Sequence, residues 1–245
     1  MRRGFSIIFI FSTIAIISLI IAILFVLPKE KTNYDITQIT QQDQSNEPPV
    51  TIKNIGINFE DFEFTKKPLT FDMLFIDYGF VIPENSMGPE KINPQPTFIL
   101  PMGTKVHALI DGIVVDIPKL YSGDYSVMVA PNKNSAWAYE TEHVINVQVK
   151  VGDRVRAGQV VAEVSDYDSH NYGGLGLVEI GILKGGNPPK HLCPFKYLDS
   201  AIKQDVENEI LEFYKSWEEF QDDEDIYDED AYDSPGCLTH DEIEG

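Results

Sequence analysis

The chain has 245 residues, of which 43% are hydrophobic and 24% charged, and its formal net charge at pH 7 is −20. This length allows one or two domains with a buried core, and the hydrophobic fraction is too high for a wholly disordered chain. The acidic balance argues against nucleic-acid binding, which needs a basic surface. The two cysteines are too few for a disulfide-dense scaffold or an all-cysteine zinc cluster.

The N-terminal region contains an uncharged stretch over residues 5–27, preceded by Arg2 and Arg3. A helix of this length rises about 34 Å, enough to cross a bilayer core of about 30 Å. The stretch ends without the small residues of a signal-peptidase site, so residues 1–28 are predicted to be a cytoplasmic stub and an uncleaved transmembrane anchor. A cleaved signal peptide is the alternative. The positive-inside rule favours a single-pass protein of the cell membrane with an extracytoplasmic main domain.

Residues 29–69 are predicted to be a polar linker and a lead-in to the main domain. The first part is rich in Gln and contains Pro48-Pro49, a composition typical of a tether. We therefore expect the folded domain to begin near residue 70.

Residues 200–221 are predicted to form an amphipathic helix with Asp199 or Ser200 as its N-cap. Apolar residues recur at steps of three and four, which gives one apolar stripe: Ile202, Val206, Ile210, Phe213, Trp217 and Phe220. We expect this helix to pack on its own domain, and partner binding is the alternative.

Residues 222–245 form an acidic tail. Residues 203–245 contain 17 acidic residues and two lysines, which gives a charge of −15, so most of the net charge lies at this end. The run from Asp222 to Asp233 consists mostly of acids and Tyr and is predicted to be solvated.

The region 70–199 shows a mainly β pattern. Short runs rich in Val and Ile, such as 112–117, 144–151 and 160–164, alternate with Gly and Asp turn residues. Regular short strands with such turns predict a small β-barrel or sandwich.

Four motifs in this region occur in the order of a known family. They are P-M-G-T-K-V-H-A at 101–108 with D-G-I-V-V at 111–115, V-K-V-G-D-R-V at 149–155 with G-Q at 158–159, L-V-E-I at 177–180, and P-F-K-Y-L at 194–198. In this order they resemble the lysostaphin/LytM-like zinc endopeptidases, peptidase family M23. Biotin- and lipoyl-carrier domains share the second motif, but no Met-Lys-Met modification turn is present, which disfavours a carrier.

The resemblance implies a duplicated-hybrid-motif β-barrel or sandwich and zinc-dependent cleavage of peptide cross-links in cell walls. Such a site needs three protein ligands on zinc and an open fourth position. Counting from Pro101 without gaps places Asn93 and Thr97 where the family has its first two ligands. The later H-x-H pair falls on Leu175 and Leu177. The resemblance therefore implies a degenerate site that has lost all three ligand positions and one catalytic histidine.

His143 occupies the one catalytic position that retains the family residue. Glu179 matches the family glutamate, for which we expect a structural role. The alternative is a substitute metal site built from other residues, whose candidates are His107, Glu142, His143, Asp168, His170 and Glu179. No metal ligand and no cofactor is otherwise predicted, and zinc enters only in this alternative.

Cys193 and Cys237 flank the predicted helix, and outside the cytoplasm they are expected to pair and clamp helix and tail to the domain. Two unrelated thiols are the alternative.

Three functions follow from these observations. The first is a membrane-anchored, catalytically inactive peptidase-like module that binds an envelope polymer or regulates or scaffolds an envelope protein. The second is a zinc metalloendopeptidase with a rearranged site, and the third is a purely structural oligomer. The replaced ligand positions favour the first, and fold alone does not establish activity.

Overall fold

The computed structural model of the chain describes residues 47–84 and 89–245. The predicted transmembrane anchor and the first part of the predicted linker lie outside these residues. None of the helices in the described part of the chain is long and apolar enough to span a membrane.

The described chain is mainly β with one C-terminal α-helix, which confirms the mainly β prediction. The strands are β1 (Phe75–Ile76), β2 (Val81–Ile82), β3 (Lys91–Ile92), β4 (Thr97–Leu100), β5 (Lys105–His107), β6 (Gly112–Asp116), β7 (Tyr125–Ala130), β8 (Trp137–Ile145), β9 (Arg154–Val155), β10 (Val160–Val164), β11 (Gly176–Lys184), β12 (Lys190–Leu192) and β13 (Ile243–Glu244). The helix α1 spans Lys203–Gln221, and 3₁₀ turns cover Phe59–Asp61, Ser169–Asn171, Pro194–Tyr197 and Glu229–Ala231.

Eleven of these strands form one antiparallel sheet, in which the longest path runs β1-β4-β11-β8-β7-β6-β9. The sheet branches instead of closing, because β10 pairs with both β5 and β8, and β12 pairs with β11 and β13. The described strands therefore form no closed barrel. β2 and β3 form a separate two-stranded sheet.

The long strand β8 changes partners along one edge. Its residues up to Glu142 pair with β11, and Val144 and Ile145 pair with β10. Between them lies His143, whose φ of 60° is left-handed, and the register with β7 also shifts in this region. Because an irregular residue re-aims the side chains next to it, this bulge sets the orientation of the candidate site.

One face of the sheet supplies the core. Along β11, alternate residues Val178, Ile180 and Ile182 are fully buried, as is Phe98 on β4. This alternation is expected for a strand with one face on the core. The predicted lead-in also joins it: Ile52 is fully buried and forms a parallel bridge with Leu198.

Helix α1 packs on its own domain, as predicted. Its buried residues are Val206, Ile210, Phe213, Tyr214 and Trp217. The helix begins after Ile202, so neither Asp199 nor Ser200 is its N-cap. The Asp199 side chain instead accepts a hydrogen bond from the backbone N–H of Ala201 (3.0 Å), in the turn before the helix.

The acidic tail differs from the solvated run that its composition predicts. Its acids at 222–225 are exposed, but Tyr227 is buried and stacks on Tyr214, with ring centroids 4.0 Å apart. Buried Asp77 accepts hydrogen bonds from the hydroxyls of Tyr214 and Tyr232. Burial raises the pKa of Asp77 to about 7. The aromatic rings therefore tie the tail to the domain while the charged groups stay in water.

A disulfide joins Cys193 to Cys237, with the two Cα atoms 6.0 Å apart, so the predicted pairing is confirmed. Both cysteines are buried, and the bridge closes a loop that contains all of α1. Beyond it, β13 pairs with β12.

We predict that replacing both cysteines, Cys193→Ser and Cys237→Ser, lowers the free energy of unfolding by about 2–5 kcal/mol, because the bridge restricts the unfolded chain. Urea unfolding of the variant and the parent, each with and without reductant, measures this. Reductant should destabilise the parent alone; equal sensitivity of both proteins would contradict the prediction.

Candidate functional site

A pocket of about 460 Å³ lies over the β4–β11 part of the sheet. Three of the positions that line it are Asn93 and Thr97, where the resemblance places the first two metal ligands, and Leu177, the second position of the later H-x-H pair. The amide nitrogen of Asn93 lies 3.5 Å from the hydroxyl oxygen of Thr97. The gapless count along the sequence therefore identifies positions that meet in space.

These side chains do not fit zinc. Zinc in proteins is held by imidazole nitrogen, thiolate sulfur or carboxylate oxygen. The Asn93 amide donates a hydrogen bond to the backbone carbonyl of Asp77 (3.1 Å), and Leu177 has no donor atom. Across residues 47–84 and 89–245, no group of three or more His, Cys, Asp or Glu side chains is arranged to hold a metal ion.

Three glutamates form an acidic row beside the pocket. Glu179 on β11 is the direct cross-strand partner of Glu142 on β8, and Glu140 lies two residues before Glu142 on the same side of that strand. On the other side of β11, Glu179 is paired with Thr97, whose hydroxyl donates to the glutamate Oε1 (3.3 Å). Glu179 also lines the pocket.

Hydrogen bonds support the buried end of this row. The Glu140 carboxylate accepts from the Ser126 hydroxyl and from the Gln95 amide (3.1 Å). Gly181 makes the second contact possible, since a Cβ at this position would lie 2.6 Å from the Gln95 Nε2 atom. Any larger residue there would displace Gln95 from Glu140.

Burial raises the pKa of each of the three glutamates. For Glu142 the charges of Glu140 and Glu179 raise the pKa further, and for Glu140 the charge of Glu179 does so. The charge of His143 acts in the opposite direction on Glu179. Because like charges in a low-dielectric site oppose ionisation, the row holds protons at pH values at which exposed glutamates are ionised.

His143 is buried next to this row, with 4% of its surface exposed. Its Nδ1 lies 3.1 Å from Asp124 Oδ2, and the Ser165 hydroxyl donates to the same oxygen (2.7 Å). Burial acts to raise the pKa of Asp124, but the hydrogen bonds from His143, Ser122 and Ser165 outweigh it, so this pKa is lowered. An ionised carboxylate only accepts hydrogen bonds, so the Nδ1 atom of His143 that faces Asp124 carries a proton and donates it to this bond.

Tyr167 covers the other side of the imidazole. Its ring is parallel to that of His143, with an interplanar angle of 4° and a centroid distance of 3.7 Å. Its hydroxyl group forms a hydrogen bond with the hydroxyl group of Tyr121, and both tyrosines line the pocket. The stack and the Asp124 bond together fix the ring against the pocket wall.

The other candidates do not join this group. His107 lies on β5, which pairs with β10, and its buried Nδ1 has no hydrogen-bond partner within the part of the chain that the structure describes. The His170 side chain is 79% exposed, with Nδ1 3.7 Å from an Asp168 oxygen. The substitute set is thus divided: Glu142 and Glu179 are cross-strand partners with His143 next along β8, Asp168 lines the same pocket as Glu179, His107 lies on β5, and His170 is exposed.

Sequence reasoning did not find Asp124, Ser165 or Tyr167. Asp124 precedes β7 in a stretch that reads as an ordinary turn, and it meets His143 only because β7 pairs with β8. The only local signal is the S-x-Y of 165–167, in which the Ser165 hydroxyl accepts the Tyr167 N–H (3.0 Å).

Comparisons with known proteins agree with the motifs. Residues 96–186 match the model of "Peptidase family M23". No curated protein matches the chain significantly. The chain therefore contains an M23 peptidase-like domain, and the resemblance to the lysostaphin/LytM-like enzymes is confirmed for this segment.

Solved structures give weaker similarities. A zinc-containing peptidase from Vibrio cholerae is 17% identical (TM-score 0.40), over 56% of this chain and only 37% of that one. The lysostaphin catalytic domain from Staphylococcus simulans is 19% identical with a TM-score of 0.38, and the match covers 52% of this chain and 84% of that domain. A chain of the SpoIIQ–SpoIIIAH pore-forming complex is 17% identical with a TM-score of 0.43, and the match covers 65% of this chain and 98% of that one. At such values these similarities carry no argument about the site.

We predict that Glu142→Gln stabilises the protein at pH 7.5. In the folded state the raised pKa keeps Glu142 protonated, whereas in the unfolded chain it ionises above about pH 4.3. The contribution of Glu142 to the free energy of unfolding is therefore greatest in acid, below the pKa of the unfolded chain, and it is lost as the pH rises towards the pKa of the folded state. Because glutamine does not titrate, the variant should have a free energy of unfolding about 1–3 kcal/mol higher than the parent at pH 7.5 and nearly the same at pH 4.

Urea unfolding at pH 4, 6 and 7.5 measures this difference. Glu224→Gln, which removes an exposed acid in the tail, is the matched control and should follow the parent at every pH. A Glu142→Gln variant less stable than the parent at pH 7.5 would show that the ionised carboxylate supports the fold.

Proposed function

We propose that this protein is a membrane-anchored, extracytoplasmic module whose peptidase-like domain binds an envelope polymer or an envelope protein and does not cleave it. One observation carries the proposal: the pocket persists, but its three ligand positions hold an amide, a hydroxyl and an isobutyl group. Binding needs only the pocket, whereas the family chemistry also needs the metal.

The pocket suits binding of an extended chain segment. Tyr121, Tyr167 and Phe71 provide aromatic wall, and Asn93 and Glu179 provide polar groups at its base. Recognition sites commonly combine apolar and aromatic walls with a few placed polar groups. The protein's role would be to hold its partner at the membrane surface through the predicted anchor.

Two features support an extracytoplasmic location. The Cys193–Cys237 bridge suits an oxidising compartment, in which such bonds persist. The uncharged stretch at 5–27 is long enough for an anchor, and the arginines before it favour retention of the N-terminus in the cytoplasm.

We predict that the wild-type full-length chain, in detergent, retains no zinc after exposure to Zn²⁺ and desalting, because its ligand positions hold no imidazole, thiolate or carboxylate group. The variant with Asn93→His, Thr97→Asp and Leu177→His should retain about one zinc per chain. Metal content by mass spectrometry tests both expectations in parallel, and the variant controls for loss of the pocket geometry.

A hydrolysis assay on cross-linked cell-wall peptides completes the test. Metal-dependent turnover by the wild-type chain that His143→Ala abolishes would overturn the proposal in favour of a rearranged metalloendopeptidase. The binding module is supported if the variant retains zinc while the wild type neither retains zinc nor hydrolyses the peptides.

A further inference from the structure

A second concave surface lies away from the peptidase-like pocket, between the segment 59–64 and helix α1. It is a shallow groove of about 430 Å³. The segment reads F-E-D-F-E-F, so phenylalanines and acids alternate along one wall, and α1 supplies the other. Neither the pocket nor its glutamate row contributes to it.

The base of the groove is aromatic. Phe213 of α1 is buried and contacts the rings of Phe59, Phe62 and Phe64, with centroid distances of 5.7, 4.4 and 5.8 Å. These three rings are only partly buried, so each presents apolar surface to solvent. The ring cluster holds the apolar base in place without a partner.

The rim of the groove is acidic. Glu60, Glu209 and Glu212 line it and are exposed. Among the residues that the structure describes, none of the three makes an ion pair or a side-chain hydrogen bond. Burial raises the pKa of Glu209, and the charges of Glu60, Asp205 and Glu212 raise it further, so these carboxylates repel one another.

We propose that this groove docks a basic amphipathic segment of a partner protein. Apolar side chains of that segment would cover the phenylalanine base, and lysines or arginines beside them would reach Glu60, Glu209 and Glu212. The charge decides the occupant: a second copy of this chain would bring the same acids to the rim, and anionic lipid or nucleic acid would be repelled. A cationic partner relieves the repulsion that is already present.

The test uses the full chain in nanodiscs of zwitterionic lipid, with empty nanodiscs as the blank. The probe is a labelled peptide of about 18 residues with leucines at helical spacing and lysines beside them. Fluorescence anisotropy should show saturable binding that weakens as salt rises. The variant with Glu60→Gln, Glu209→Gln and Glu212→Gln should bind about tenfold more weakly.

The matched control is Glu90→Gln, Glu224→Gln and Glu244→Gln, which removes three exposed acids outside the groove and should leave affinity unchanged. A glutamate-substituted peptide should not bind the wild type. Equal affinity for both triple variants would overturn the proposal, as would a wild type that does not bind the lysine peptide. Binding that appears only after deletion of residues 1–46 would overturn it too, by showing that the chain covers its own groove.

Discussion

The pairing of β11 between β4 and β8 is the constraint on which the candidate site depends. It places Thr97, Glu179 and Glu142 side by side across three strands and turns Val178 and Ile180 into the core. A shift of one residue would bury the acids in the apolar interior and expose the isoleucines, so the register is strongly specified. The pocket over these strands is thus a consequence of the strand register that the core fixes.

The glutamate row creates electrostatic repulsion, which the protein reduces with its own groups. The three glutamates of this row include one that is buried, Glu140, and their raised pKa values indicate that protonation relieves part of the repulsion. Ser126 and Gln95 satisfy the most buried carboxyl by hydrogen bonding. Asp124 differs from these glutamates, because hydrogen bonds from three donors lower its pKa and favour the ionised form. Neighbouring acids therefore adopt opposite protonation preferences for local reasons.

The parts of the fold that follow from local pattern could be predicted from the sequence. The 3.6-residue period of Ile210, Phe213 and Trp217 identified α1 and the face it buries. The alternation of short apolar runs and turns identified a β domain, but it could not show that the sheet branches at β8, because pairing order is a long-range property. The packing of the tail was missed, since charge density concealed the tyrosines that bury against Tyr214.

The candidate site was predictable only where it follows the motif spacing. Asn93, Thr97 and Leu177 were placed by counting, and they do line one pocket. The Asp124–His143 contact joins residues 19 positions apart on different strands, and no period or motif marks it. The same limit applies to the groove beside α1, whose two walls come from residues about 150 positions apart in the chain.

His143 is the point at which structural and functional interpretations of this domain meet. A non-glycine residue in the left-handed region costs free energy, and such strain persists only where the surroundings determine it. Here Asp124 holds one ring nitrogen, Tyr167 covers one face of the ring, and the His143 carbonyl accepts the Ser165 N–H (3.1 Å). These contacts are sufficient to explain why a histidine stands at the junction of β8 with β10. The residue therefore has a structural role that does not depend on catalysis, and its presence alone is no argument for a peptidase.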